Sequence, residues 1–114
     1  MTDCVFCKIL RKEIPATFVA EEDDWAAFRD IHPQAPTHVL VVPRAHVRSL
    51  NEVADRDATL LGRLLLAAKA IAAREGVDRS GYRVVVNTNA DAGQSVDHLH
   101  LHVLGGRALR WPPG

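Results

Sequence analysis

Residues 98–102 read His-Leu-His-Leu-His, and this alternation restricts the fold more than any other stretch of the chain. Successive side chains of a strand point to opposite faces. His98, His100 and His102 therefore share one face, and Leu99, Leu101 and Val103 share the other. The apolar face needs a hydrophobic layer to cover it. Three imidazoles in a row have little value for packing, so the opposite face is a candidate for chemistry.

The layer that covers the leucines is legible earlier in the chain. Leu60, Leu61, Leu64, Leu65, Ala68, Ile71 and Ala72 recur at helical spacing, with Asp55 as the expected N-cap and Gly76 as the stop. A short helix is expected near the start, where Phe6, Ile9 and Leu10 fall on one side and Lys8, Arg11 and Lys12 on the other. Ile14-Pro15 is expected to end it. Residues 17–21, 25–30, 37–42, 82–87 and 99–104 read as strands, and the β-branched, nearly all-apolar 37–42 is expected at the centre. The prediction is an α+β fold: an antiparallel sheet of about five strands with one long and one short helix, in one domain over residues 1–114.

Charge narrows the partners. Fourteen basic residues balance fourteen acidic ones, which argues against a nucleic-acid binder. The opening Met1-Thr2-Asp3-Cys4 lacks a basic segment followed by an apolar one. The apolar runs 39–42 and 64–68 are too short to span a bilayer, so no membrane role and a cytoplasmic location are expected.

Neutral imidazole is a competent nucleophile near pH 7, and neighbouring imidazoles depress one another's pKa. A phosphate ester or phosphoramidate suits such a group, given donors for its non-bridging oxygens. The polar segment 88–96 can supply them from Gly93-Gln94-Ser95, and Asn87 can add an amide. Three co-facial histidines equally suit a metal, and residue types alone leave both readings open.

The run His98–His102 followed by Val-Leu resembles the signature of the histidine triad (HIT) superfamily. The blocks 3–16, 30–46 and 93–114, with the closing Trp111-Pro112-Pro113-Gly114, resemble its Hint branch. The resemblance implies a homodimer that binds purine nucleoside monophosphates and hydrolyses nucleoside phosphoramidates. It implies His100 as the nucleophile forming a nucleotidyl-histidine, His102 as a phosphate contact, His38 as a supporting histidine and Ser95 near the leaving group. Asn87, Gly93, Gln94 and Ser95 fall at the phosphate, and Asp30 at the ribose hydroxyls. Phe6, Ile9, Phe28, Ile31 and Leu40 match an apolar base slot, although five apolar residues are also ordinary core. Arg29 and Asp97 depart from the animal Hint pattern. His32 reads as a loop residue.

Cys4-Val-Phe-Cys7 is a C-x-x-C pair open to zinc, redox or simple packing of reduced thiols. No strand precedes it, which disfavours a thioredoxin-like role. Two thiolates and two imidazoles complete a closed structural zinc site. Bacterial HIT proteins resemble this chain in that pair, and the resemblance implies His46 and His98 as the other two ligands. The rival functions are hydrolysis of dinucleoside polyphosphates, as in the Fhit branch, a nucleotide-binding interaction module with incidental hydrolysis, and a metal-binding protein using all the histidines.

Overall fold

The computed structural model describes residues 4–114; the opening Met1-Thr2-Asp3, read above for a leader and as part of the first matching block, lies outside them. A short helix α1 (Val5–Leu10) is followed by strands β1 (Phe18–Glu21), β2 (Trp25–Arg29) and β3 (Thr37–Pro43). The long helix α2 (Ala58–Arg74) precedes β4 (Tyr82–Val85) and β5 (Leu101–Gly105). The strands form one antiparallel sheet in the order β1-β2-β3-β5-β4. β3 lies in the middle and every one of its residues is buried, as its apolar sequence predicts.

The register divides the sheet into two faces. Val39, Val103 and Val84 are cross-strand partners, and so are Ala27, Val41 and Leu101; both rows face α2. Leu64, Ala68, Ile71 and Ala72 of the helix pack on them together with Leu99. Burying each large aliphatic side chain stabilises the fold by roughly 1.5–3 kcal/mol, so this layer is the main core. The other face carries the row Phe18, Phe28, Leu40 and His102. There α1 covers only part of the sheet, through Phe6 and Ile9.

Three boundaries differ from the sequence reading. α1 ends at Leu10, well before Ile14-Pro15, because Lys12 adopts a left-handed backbone (φ 65°). The Lys12 N–H donates to Ile9 O and the Glu13 N–H to Lys8 O, which closes the helix end at a position where glycine is usual. Lys12 Nζ offsets part of the strain by pairing with Glu21 at 2.8 Å and lying 3.5 Å from the Phe18 ring centre. At α2, Asp55 is not the N-cap. Asp55–Asp57 forms a 3-10 turn and the Asp57 carboxylate accepts the Ala54 N–H. Gly76 (φ 77°) does close α2, with the Val77 N–H donating to Ala72 O. Finally, β4 stops at Val85 and β5 starts at Leu101, so His98 and His100 run up to the strand rather than within it.

No helix among the described residues is long and apolar enough to cross a membrane.

Candidate active site and metal centre

The half-covered face of the sheet holds a cavity of about 300 Å³. α1 contributes Val5, Phe6 and Ile9, β2 contributes Phe28, and β3 contributes Leu40. The β2–β3 connection adds Asp30, Ile31 and His32, and Ser95, Val96, His100 and His102 close the far side. The five residues expected at the base slot therefore meet at one cavity. Phe6, Ile9, Phe28 and Leu40 are also a buried cluster with Val42, so those four are core as well as cavity wall. Ile31 differs: it is 80% exposed, at the cavity mouth.

The alternation places the three imidazoles on one side, but two of them are interior groups. His98 and His100 are buried, whereas His102 is only partly covered. Hydrogen bonds define their tautomers. His100 Nδ1–H donates to the His98 carbonyl at 2.7 Å, which leaves the lone pair on Nε2. The Gln34 N–H donates to His38 Nδ1 at 3.0 Å, so a neutral His38 carries its proton on Nε2. That Nε2–H donates to His102 Nδ1 at 2.9 Å, which leaves His102 with its proton on Nε2. The His100 and His102 rings lie 4.9 Å apart, centre to centre. One presents a lone pair and its neighbour an N–H.

The rings stay neutral at ordinary pH. Burial pushes the His100 and His38 pKa values below the usual imidazole value, outweighing the opposing pull of Asp30. Burial, then the proximity of His100 and His38, brings His102 down to about 4. Asp30 Oδ2 lies 3.5 Å from His38 Nε2, a polar contact rather than an ion pair while His38 is neutral. Asp30 Oδ1 accepts the His32 N–H at 2.8 Å, which orients the carboxylate at the cavity wall.

The polar loop before the histidines divides its members. Ser95 lines the cavity. The Gln94 side chain is engaged elsewhere: its amide N–H groups donate to Arg48 O and Val96 O, and its oxygen accepts the Asn89 N–H. Gly93 takes the left-handed conformation that closes a 3-10 turn. Neither it nor Asn87 is among the residues lining the cavity. His32 and Val96 do line it, and the sequence reading gave neither a place there. Of the two departures from the animal pattern, Arg29 borders the cavity, and both side chains meet charged partners. Arg29 forms a bidentate pair with Glu75 beyond the end of α2, and Asp97 lies 3.7 Å from Arg48 at an exposed position.

Cys4, Cys7, His46 and His98 converge beside the cavity, with one donor atom from each within 4.8 Å of the others. His98 Nδ1 lies 3.3 Å from Cys4 Sγ and 3.6 Å from Cys7 Sγ, and His46 Nδ1 lies 3.4 Å from Cys7 Sγ. Tetrahedral zinc with ordinary Zn–S and Zn–N bonds separates sulfur from nitrogen by about 3.5 Å. His98 Nε2–H donates to Pro43 O at 2.8 Å, which leaves Nδ1 free to ligate and holds the ring in place. Burial raises the Cys7 thiol pKa, an effect that a bound cation would reverse. The donor set, its spacing and its outer hydrogen bond fit a closed Cys2His2 site for zinc. All four positions expected for the metal meet here, and His98 is set apart from the other two histidines of the run.

A family model described as the HIT domain matches residues 11–109. The chain is 53% identical to a HIT family hydrolase from Legionella pneumophila, whose crystal structure superimposes with a TM-score of 0.96 over 98% of this chain and 100% of that one. A 14 kDa zinc-binding protein of Zea mays is 48% identical over 112 residues, covering 96% of this chain and 87% of the maize protein. A histidine triad nucleotide-binding protein of Candida albicans is 32% identical, with a TM-score of 0.83 over 96% of this chain and 83% of its own.

Proposed function

The chain belongs to the HIT domain family, and on that premise we propose that it hydrolyses purine nucleoside 5′-phosphoramidates through a nucleotidyl intermediate on His100. The observation that carries this reading is the complementary pair of tautomers at one cavity: a lone pair on His100 Nε2 beside an N–H on His102 Nε2. A phosphorus centre requires both, a nucleophile and a donor for its charged oxygens.

In the first step the His100 Nε2 lone pair attacks the α-phosphorus, and the P–N bond breaks with its electron pair leaving on the amine nitrogen. Ser95 stands at the cavity wall to hand that nitrogen a proton, replaced from solvent. His102 Nε2–H stabilises the non-bridging oxygen. In the second step water attacks the same phosphorus and gives up a proton to solvent, the P–Nε2 bond breaks, and its electrons return to the ring. The products are a nucleoside monophosphate and a free amine. Asp30 offers its carboxylate to the ribose hydroxyls, and the Phe6, Ile9, Phe28, Ile31 and Leu40 slot receives the base. Gly93 and Gln94 shape the loop that carries Ser95, and Asn87 takes the phosphate position that the resemblance gives it. Zinc at Cys4, Cys7, His46 and His98 is structural, since four protein ligands leave no open position for a substrate.

The closing Trp111–Gly114, which resembles the Hint branch, favours this substrate over a dinucleoside polyphosphate. A homodimer accompanies the reading, supported by the exposed Leu65 and Leu66 of α2 and the unpaired edge of β4.

The test uses adenosine 5′-phosphoramidate. Wild type should release AMP faster from it than from a diadenosine polyphosphate, and quenching in alkaline denaturant, where the P–N bond of the adduct survives, should trap an adenylyl group on His100 by mass spectrometry. His100→Ala should lose at least ~10³-fold in turnover and form no adduct while still binding AMP. Equal turnover by the two proteins would remove His100 as the nucleophile.

A further inference from the structure

α1 has six residues, too few for a helix to persist in water without tertiary anchors. Its anchors are of two kinds. Cys4 and Cys7 hold its first turn to the metal set, and Phe6 and Ile9 hold its inner side to Phe28 and Leu40. Phe6 stands between the two cysteines, its ring edge-on to His98 at 5.9 Å and to His100 at 5.0 Å. The same ring lines the cavity. On the opposite side of the metal set, the backbone carbonyl of His98 accepts the His100 Nδ1–H. One metal site is thus fastened to two walls of the cavity: α1 with Phe6, and the His98 segment that orients His100.

We propose that the Cys4/Cys7/His46/His98 metal site and the nucleotide cavity are thermodynamically linked, with Phe6 as the positioning residue that carries the coupling. The proposal rests on the nucleotide reading given above. Zinc clamps α1 against His98, so the wall that meets the base is assembled before nucleotide arrives. Nucleotide in turn packs on Phe6 and holds α1 in the geometry that brings Cys4 and Cys7 to the imidazoles. By linkage the two effects are equal: zinc strengthens nucleotide binding by the same factor as nucleotide strengthens zinc binding, and couplings of this kind run from about 5- to 150-fold.

The experiment measures zinc affinity of the wild-type protein by competition with a chromophoric chelator, with and without saturating AMP, and with a protein-free control for chelation by AMP itself. Calorimetry on the same preparation measures AMP binding with and without zinc. The expected result is a zinc affinity at least about 5-fold higher with AMP, matched by weaker AMP binding to the zinc-free protein. Phe6→Ala keeps all four metal donors and should bind zinc with a coupling factor that falls towards one. Zinc affinity unchanged by AMP, while calorimetry shows AMP bound, would overturn the linkage and leave the nucleotide site standing. An undiminished factor in Phe6→Ala would overturn the role given to Phe6. Failure of the zinc-loaded protein to bind AMP at all would overturn the nucleotide reading, and the linkage with it. The competition ends in zinc-free protein, so circular dichroism at its end point accompanies it: a zinc-free chain that stays folded is expected, and one that unfolds would assign the effect of AMP to global folding and overturn the role given to the cavity wall.

Discussion

His38→Ala should slow the enzyme without touching the nucleophile. The substitution removes the N–H that donates to His102 Nδ1 and strands the Gln34 N–H that His38 accepts. A neutral hydrogen bond of this kind contributes about 0.5–1.5 kcal/mol, equivalent to a roughly 2- to 13-fold bias in the His102 tautomer. Removing the His102 donor outright would cost about 10²–10³ in kcat, the usual effect of losing one oxyanion donor. His38→Ala should therefore fall by about 2- to 13-fold, and His102→Ala further. His38→Gln, whose amide N–H can donate in place of the imidazole, should recover part of the loss. Burial is the first cause of the low His102 pKa, so His102 stays neutral at pH 7 in the variant and protonation cannot account for the effect. Initial rates of AMP release give the magnitude, and 15N chemical shifts of the His102 ring give the tautomer. A His38→Ala enzyme within twofold of wild type, or one whose His102 keeps its proton wholly on Nε2, would refute the reasoning.

Two further outcomes follow from the same geometry. The folded His102 pKa of about 4 lies below the ordinary 6.5, so between those values the unfolded chain binds more protons and stability falls as pH falls. The loss is complete near pH 4 and amounts to about 3 kcal/mol at most; urea midpoints at pH 7 and pH 4.5 should show a smaller drop for His102→Asn than for wild type, and equal drops would exclude it. Gly105→Ala places a methyl group 2.8 Å from Val77 Cβ on a central strand, an overpacking that should cost about 1–3 kcal/mol in chemical denaturation, with no loss of stability as the adverse result.

The sheet, α2 and the shared face of the three histidines are legible in the sequence because each rests on a period that local geometry imposes. The convergence of Cys4, Cys7, His46 and His98 follows from family resemblance rather than from spacing, since 94 residues separate Cys4 from His98. What escapes the sequence depends on contacts distant along the chain or on an unusual backbone. Lys12 closes α1 in a conformation that normally selects glycine, and its support comes from Phe18 and Glu21. Gln94 reads as a source of a main-chain N–H for phosphate; that N–H donates to Asn89 O, and the side-chain amide reaches Arg48 O, 46 residues away. His32 is the loop residue its sequence predicts, but nothing local shows that the β2–β3 connection carrying it lines the cavity. The ring tautomers are invisible without Gln34, whose backbone N–H starts the relay.

The alternation on either side of residue 100 also governs how this segment can change over evolutionary time. Leu99, Leu101 and Val103 answer only to the layer beneath α2, while His98, His100 and His102 answer only to the metal and the cavity. Point substitutions can therefore alter one face and spare the other. Inserting or deleting a single residue exchanges the faces, sending imidazoles into the core and leucines into the cavity. Length changes should accumulate in the connections and be purged from residues 98–105, so that the segment drifts in composition but not in length.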